Sequence, residues 1–216
     1  KGGILWKTNV GKSSNSSLIK VGKRIFVANE KALLQCLDVD TGKILWQHEL
    51  KKESLPEDQQ QKVAEGNADS GNASHTPVSD GKFVYVAFAN SIVAAFDLTG
   101  RRKWATALGE RTSSDGRSSS PLLVDGKLLW LCGHLYALDC ATGKILWESR
   151  EVGESFGTPI TIKMGGKPAL VTPNGFVVRA ADGKILGEEM GDLSCPSPIR
   201  LGRMVYWVGD AVYAYK

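Results

Sequence analysis

The ten residues Leu37–Trp46, LDVDTGKILW, are written again at Leu138–Trp147 as LDCATGKILW. A repeat at a fixed period constrains a fold more than any single motif, because each unit must bury its faces against its neighbours. The anchor is a Gly placed four residues before a Trp: Gly2/Trp6, Gly42/Trp46, Gly100/Trp104 and Gly143/Trp147. A further copy starts at Gly183 but carries Gly187 where the Trp should stand. The Gly positions step by 40, 58, 43 and 40 residues. A unit of about 40 residues is the length of a propeller blade.

Each unit runs in the same order. A Ser or Thr opens it: Ser17, Thr76, Ser120, Thr158 and Ser197, the last four followed by Pro. A short strand then leads to a Gly-basic turn. An apolar strand follows, such as FVYVAF or MVYWVG, and a tight turn brings in a third strand, such as LYALD. The Thr-Gly turn opens the last strand, KILW. This predicts four short antiparallel strands per unit, with Gly supplying the positive φ that a bulged hairpin turn needs. Asp38, Asp97 and Asp139 precede that turn and are placed to accept hydrogen bonds from its N–H groups or from the Thr hydroxyl. The Trp is a large flat wedge suited to the seam between sheets. The first duty of the repeated phrase is therefore architectural.

Of the 216 residues, 42% are hydrophobic and 23% charged, which is ordinary globular composition with enough apolar mass for a core. The net charge of +4 is too mild and too dispersed for a nucleic-acid footprint. The four cysteines, Cys36, Cys132, Cys140 and Cys195, form no CxxC pair and no Cys/His metal spacing. They read as small buried hydrophobes. No apolar run reaches the ~20 residues of a transmembrane helix, and KGGILW does not read as a signal peptide.

These residues resemble the pyrroloquinoline-quinone (PQQ) repeat family of β-propellers. The carrying motif is A-x-D-x-x-T-G-x-x-x-W, met by LDVDTGKILW and LDCATGKILW. FDLTGRRKW has one residue fewer between Asp97 and Gly100, and VRAADGKILG replaces the Asp by Arg179 and the Trp by Gly187. The resemblance implies an all-β fold: a β-propeller of four-stranded antiparallel blades, here one domain over 1–216. About five blade equivalents are expected, at 1–10 (last strand only), 14–50, 72–107, 117–150, 156–190 and 194–216 (first three strands). Family members close with seven or eight blades, so the chain reads as part of a larger ring. A five-bladed ring closed by its own termini is the alternative.

The family contains quinoprotein dehydrogenases, which hold PQQ and Ca²⁺ over the propeller axis. It also contains propellers without cofactor, such as the scaffold lipoprotein of the outer-membrane β-barrel assembly machinery. A dehydrogenase should show a catalytic Asp, oxygen ligands for calcium and often a vicinal Cys-Cys disulfide. The chain has no Cys-Cys pair, and its repeated Asp residues are explained by turns. His48, His75 and His134 form no Ser/His/Asp pattern; His75 lies near the start of an inner strand, either as a polar residue at the strand end or as one that lines the channel. No catalytic, cofactor-binding or metal-binding residue is assigned. The resemblance implies a protein-binding or scaffold module that is periplasmic or extracellular, with a protein partner and no nucleic acid. The alternatives are a PQQ- and Ca²⁺-dependent dehydrogenase whose site lies mostly outside this segment, and a sensor propeller of a signalling protein.

Two features lie outside the motif. The 58-residue step places an insertion at about 51–70. Ser54 with Glu57 forms a capping-box pattern, and a short surface helix is predicted from about Pro56 to Glu65. In an up-and-down blade the first and third turns also share one end. They carry Lys23, Lys43, Lys82, Arg101, Lys127, Lys144, Lys167, Lys184 and Arg203. The connections after each Trp are richer in Asp and Glu. A basic turn face and an acidic connection face are expected; the basic face is either a set of soluble turns or a surface that steers the protein toward an anionic surface or partner. The hydroxyls of Ser17, Thr76, Ser120, Thr158 and Ser197 are expected to ring the axis or its mouth, where they would satisfy strand-end backbone groups or meet a ligand.

Overall fold

The computed structural model describes residues 2–12, 15–63, 73, 75–109, 119–153, 155–188, 196–208 and 211–216. Among these, nineteen strands form five antiparallel sheets, each an up-and-down meander. The first sheet is β1 (Ile19–Val21), β2 (Arg24–Asn29), β3 (Leu33–Asp38) and β4 (Ile44–Glu49). The second is β5 (Val78–Ser79), β6 (Phe83–Ala87), β7 (Ile92–Asp97) and β8 (Arg102–Ala107). The third is β9 (Leu122–Val124), β10 (Lys127–Cys132), β11 (His134–Asp139) and β12 (Ile145–Gly153). The fourth is β13 (Ile160–Met164), β14 (Lys167–Val171), β15 (Val177–Arg179) and β16 (Ile185–Gly187). The fifth has three strands, β17 (Ile199–Leu201), β18 (Met204–Val208) and β19 (Val212–Tyr215).

Burial explains the composition of the strands. The two middle strands of a complete sheet are covered on both faces, so they read as nearly continuous apolar runs. All of β7 but its last residue is buried, and so is all of β11 but its last residue. The outer strand meets solvent on one side and alternates instead, as in β4. The outer strand also carries a bulge. Trp46 opposes Cys36 but Ile44 opposes Leu37, so Leu45 is the extra residue; the same shift recurs before Trp104, Trp147 and Gly187. The bulge puts residues two apart on opposite faces, and it leaves Leu45, Leu146 and Leu186 exposed.

The chain divides into two compact units, Lys1–Arg117 and Ser118–Lys216. The first unit has a core of both its sheets around Phe26, Leu34, Phe88, Ile92 and Phe96. In the second unit, one cluster joins the third and fourth sheets through Leu129, Leu131, Leu170 and Val178. Another joins the fourth and fifth through Ala169, Val171, Val177, Val205 and Trp207.

The insertion corrects the sequence reading. Its described part holds a 3-10 turn at Lys52–Ser54 and a single helical turn, α1 (Glu57–Gln60), rather than a helix to residue 65. The Ser54 hydroxyl donates to the Lys51 carbonyl, so the capping box does not form. After Gln60 the bonds tighten: the Lys62 and Val63 N–H groups donate to Gln59 and Gln60 carbonyls, three residues back. The segment is also not merely superficial. Leu55 is buried in the core of the first unit, and Val63 packs against it. The Gln59 side chain accepts the Ala107 N–H at 3.1 Å, and Arg102 donates to the Ser54 carbonyl at 2.8 Å, so the insertion is docked on β8.

Candidate functional site

The repeated carboxylates are held by their own turns. Asp38 Oδ1 accepts the Thr41 hydroxyl at 2.8 Å and the N–H groups of Thr41 and Asp40. Asp139 Oδ1 accepts the Thr142 hydroxyl at 2.7 Å and the N–H groups of Thr142 and Ala141. Asp97, in the shorter turn, takes the Thr99 hydroxyl at 2.6 Å and the N–H groups of Thr99 and Arg101, and its second oxygen meets Arg101 Nε at 3.2 Å. These bonds favour the ionised form. The Thr hydroxyl above all holds each carboxyl below its ordinary range, Asp97 down to about 2. A carboxylate engaged in this way is a poor general base and a poor free ligand.

Three of the turn glycines have a second task. Each leaves room for the Trp of the preceding repeat. Trp6 rests on Gly42, Trp46 on Gly100 and Trp147 on Gly183. Trp6 donates its indole N–H to the Val39 carbonyl and Trp46 donates to Leu98, both at 3.2 Å. His48, two residues beyond Trp46, adds to the same seam. Its Nε2 lies 2.7 Å from the Gly100 carbonyl, and its ring stacks on Phe96 at 4.9 Å. Trp104 is buried at 8% exposure, and Gly143 is buried. No single-residue signal marks His48; only its spacing from Trp46 points to it.

The Ser and Thr residues that open the units meet one another. The Ser17 N–H donates to Thr76 Oγ1 at 3.1 Å. The Ser120 N–H donates to Thr158 Oγ1 at 3.0 Å, and the Thr158 N–H donates to Ser197 Oγ at 2.8 Å. The hydroxyls of Thr76, Thr158 and Ser197 thus each accept a backbone donor from the preceding sheet of the same unit. These bonds clasp the segments that lead into neighbouring inner strands.

Within each sheet the meander places the first and third turns at one end. Lys23 and Lys43 share an end, as do Lys82 and Arg101, Lys127 and Lys144, and Lys167 and Lys184, with Arg203 on the first turn of the fifth sheet. All nine are exposed except Lys127, which is half-buried. The Trp46–Gly100 and Trp147–Gly183 contacts set neighbouring turn ends side by side inside each unit.

The fourth repeat departs from the pattern at three positions. Arg179 replaces the turn Asp and Asp182 replaces the Thr. The clasp survives with its charges reversed: Arg179 Nε and Nη2 reach the two Asp182 oxygens at 2.7 and 2.6 Å. Gly187 replaces the Trp. Its partner on β15 is Val177, where the other repeats pair a small residue, Cys36, Ala95 or Ala137, with the Trp. Gly187 has Val177 within ordinary contact distance and otherwise open space.

His75 is wholly buried rather than channel-lining, and burial pushes its pKa down to about 3. Cys36 and Cys132 are buried and Cys140 is half-buried; burial pushes the Cys36 thiol up to about 11. Cys195 lies outside the described residues. Among the described residues no three His, Cys, Asp or Glu side chains gather. No helix among them is long and apolar enough to cross a membrane.

Three comparisons place this geometry among known proteins. A family model described as outer membrane protein assembly factor BamB matches residues 1–161 and 90–190. Outer membrane protein assembly factor BamB of Burkholderia pseudomallei (strain K96243) is 31% identical over 152 residues, covering 65% of this chain and 36% of that protein. Polyvinylalcohol dehydrogenase of a Pseudomonas species is 24% identical over 168 residues, covering 68% of this chain and 24% of that protein. The chain thus spans about a third or less of the relatives it matches. Among solved structures, a europium-containing methanol dehydrogenase superposes with a TM-score of 0.62 at 14% identity, covering 86% of this chain and 45% of that one. At that identity the likeness shows the fold alone: these are β-propeller sheets.

Proposed function

Because the chain belongs to the family of outer membrane protein assembly factor BamB, we propose that it is a non-catalytic β-propeller module that binds a protein partner outside the cytoplasm. One observation carries this reading. The polar groups that recur with the repeat, Asp38, Asp97 and Asp139 on the turns and Thr76, Thr158 and Ser197 ahead of the inner strands, are engaged in holding turns and seams. What remains for recognition is surface: the exposed basic turn ends and the docked insertion. The BamB likeness supports a protein partner, and a periplasmic or extracellular setting accords with both kinds of relative.

The second reading is a PQQ- and Ca²⁺-dependent dehydrogenase, favoured by the polyvinylalcohol dehydrogenase match. Its site would be built from residues beyond those described here.

The test is to titrate the complete polypeptide with PQQ and Ca²⁺, following tryptophan fluorescence and dye-coupled alcohol oxidation. A scaffold shows neither saturable quenching nor turnover. Quenching accompanied by turnover overturns the proposal.

A further inference from the structure

The outer strands repeat a feature that the fold itself does not require. In the third and fourth sheets the turn glycine is followed by Lys, Ile and Leu: Lys144, Ile145 and Leu146, then Lys184, Ile185 and Leu186. Leu146 and Leu186 are the extra residues of the bulges and have no partner on the neighbouring strand. Ile145 is 44% exposed and Leu146 49%. This exposure does not come from an unfilled seam. Trp147, the next residue, is seated on Gly183, and Leu45 is just as exposed beside Trp46 seated on Gly100. The second sheet shows what the bulge needs. It carries Lys103 there, behind Arg101 and Arg102, and forms with the same register shift. An apolar residue at this position is therefore not an architectural demand. Single exposed aliphatic residues are common, but here they recur at equivalent places in adjacent sheets.

The two sheets bring these residues to one corner. Because Trp147 lies on Gly183, the start of β12 sits against the turn that opens β16, and a shared core joins the sheets behind it. The outer strands leave the turn end at this corner, and that end is cationic. Apart from the Arg179–Asp182 pair, Lys127, Lys144, Lys167 and Lys184 stand there against Asp125 and Asp139. Asp139 is engaged by three hydrogen bonds from its own turn. Glu148, four residues beyond Lys144, is held by Arg150 at 2.9 Å. We propose that this corner seats the protein on an anionic phospholipid bilayer. The lysines meet headgroup phosphates, while Ile145, Leu146 and Leu186 enter the boundary between headgroups and acyl chains. An acidic protein segment would answer the lysines alone, whereas a bilayer interface offers negative charge and apolar depth together. This inference goes beyond the scaffold reading and does not depend on it.

The test is to sediment the complete polypeptide with sucrose-loaded vesicles, either of phosphatidylcholine alone or of equal parts phosphatidylcholine and phosphatidylglycerol. Retention is expected on the anionic vesicles, with little on the neutral ones, and it should fall with added salt. Lys144→Glu with Lys184→Glu should weaken partitioning by about 25-fold or more. Ile145→Ser with Leu146→Ser should weaken it by about tenfold while keeping the salt dependence. All four side chains are exposed, and circular dichroism and urea midpoints report whether the variants fold. Equal retention by neutral and anionic vesicles overturns the inference, as does partitioning that either folded variant leaves unchanged. Retention on polyglutamate with none on the vesicles assigns the corner to an acidic protein and overturns it as well. No retention up to about 1 mM lipid does the same. PQQ-dependent turnover, which ends the scaffold reading, alters none of these outcomes.

Discussion

The indole of Trp46 rests so closely on Gly100 that a Cβ on that glycine would stand 2.8 Å from its Cγ and Cδ2. Gly100 also holds a φ of 94°. One residue thus meets two demands, a left-handed turn and a close approach. Gly100→Ala should cost about 1–2 kcal/mol for the backbone and a further ~1–3 kcal/mol for displacing the ring. Gly81 has a similar φ and nothing near its Cβ position, so Gly81→Ala should cost the backbone part alone. Urea unfolding of the two variants separates the terms. Equal losses would mean that the wedge contact contributes nothing.

The Arg179–Asp182 pair reproduces the Asp–Thr clasp of the other turns with charges reversed. Arg179→Asp alone sets two carboxylates together and should lower the urea midpoint, more so at low salt. Adding Asp182→Thr rebuilds the pattern of Asp139 and Thr142 and should restore it. A double variant no better than the single one would show that the two patterns are not interchangeable.

His75 ties stability to acid. Its folded-state pKa of about 3 lies below the ordinary histidine value near 6.5. Between those values the unfolded chain binds a proton that the folded chain does not. Stability contributed by the neutral ring is full above pH 6.5 and falls as pH drops toward 3, by about 1.4 kcal/mol per pH unit. His75→Gln should flatten that part of the profile, measured as urea midpoints at several pH values. An unchanged slope would place the titration elsewhere.

Thr158 serves two neighbours: its hydroxyl accepts the Ser120 N–H and its own N–H donates to Ser197. Thr158→Val keeps the shape and removes the acceptor, so a loss of about 1 kcal/mol is expected, while Thr158→Ser should retain most of the stability. Hydrogen exchange at the Ser120 amide gives the local readout, and exchange that is equally slow in Thr158→Val would contradict the clasp.

Leu55 anchors the insertion at 5% exposure. Leu55→Ala should cost about 2–4 kcal/mol. Cleavage near residues 51–63 should then appear in limited proteolysis well before the sheets are cut. Cleavage that is no faster than in the wild type would leave Gln59 and Arg102 as the true tethers.

The repeat by itself determined the strand order of each sheet, because Gly turns and apolar runs at fixed spacing admit a four-stranded meander and little else. It also determined the Asp–Thr turn clasp, whose partners lie within four residues of one another. The insertion was misread for the opposite reason. A capping pattern is a local preference, and the burial of Leu55 together with the docking of Gln59 on β8 outweighed it. The Trp could be read as a wedge for the seams, but not the residue on which it rests. Trp46 and Gly100 are 54 residues apart, and no pattern announces that the turn glycine of one repeat is the floor for the indole of another. The meaning of Gly187 was hidden in the same way. In the sequence it is a lapse from a motif; in the sheet it pairs with the larger Val177, where the other repeats set a small residue against the Trp. Local hydrogen bonds follow from the order of residues along the chain, whereas volume between sheets is a property of two surfaces and exists only once they have packed.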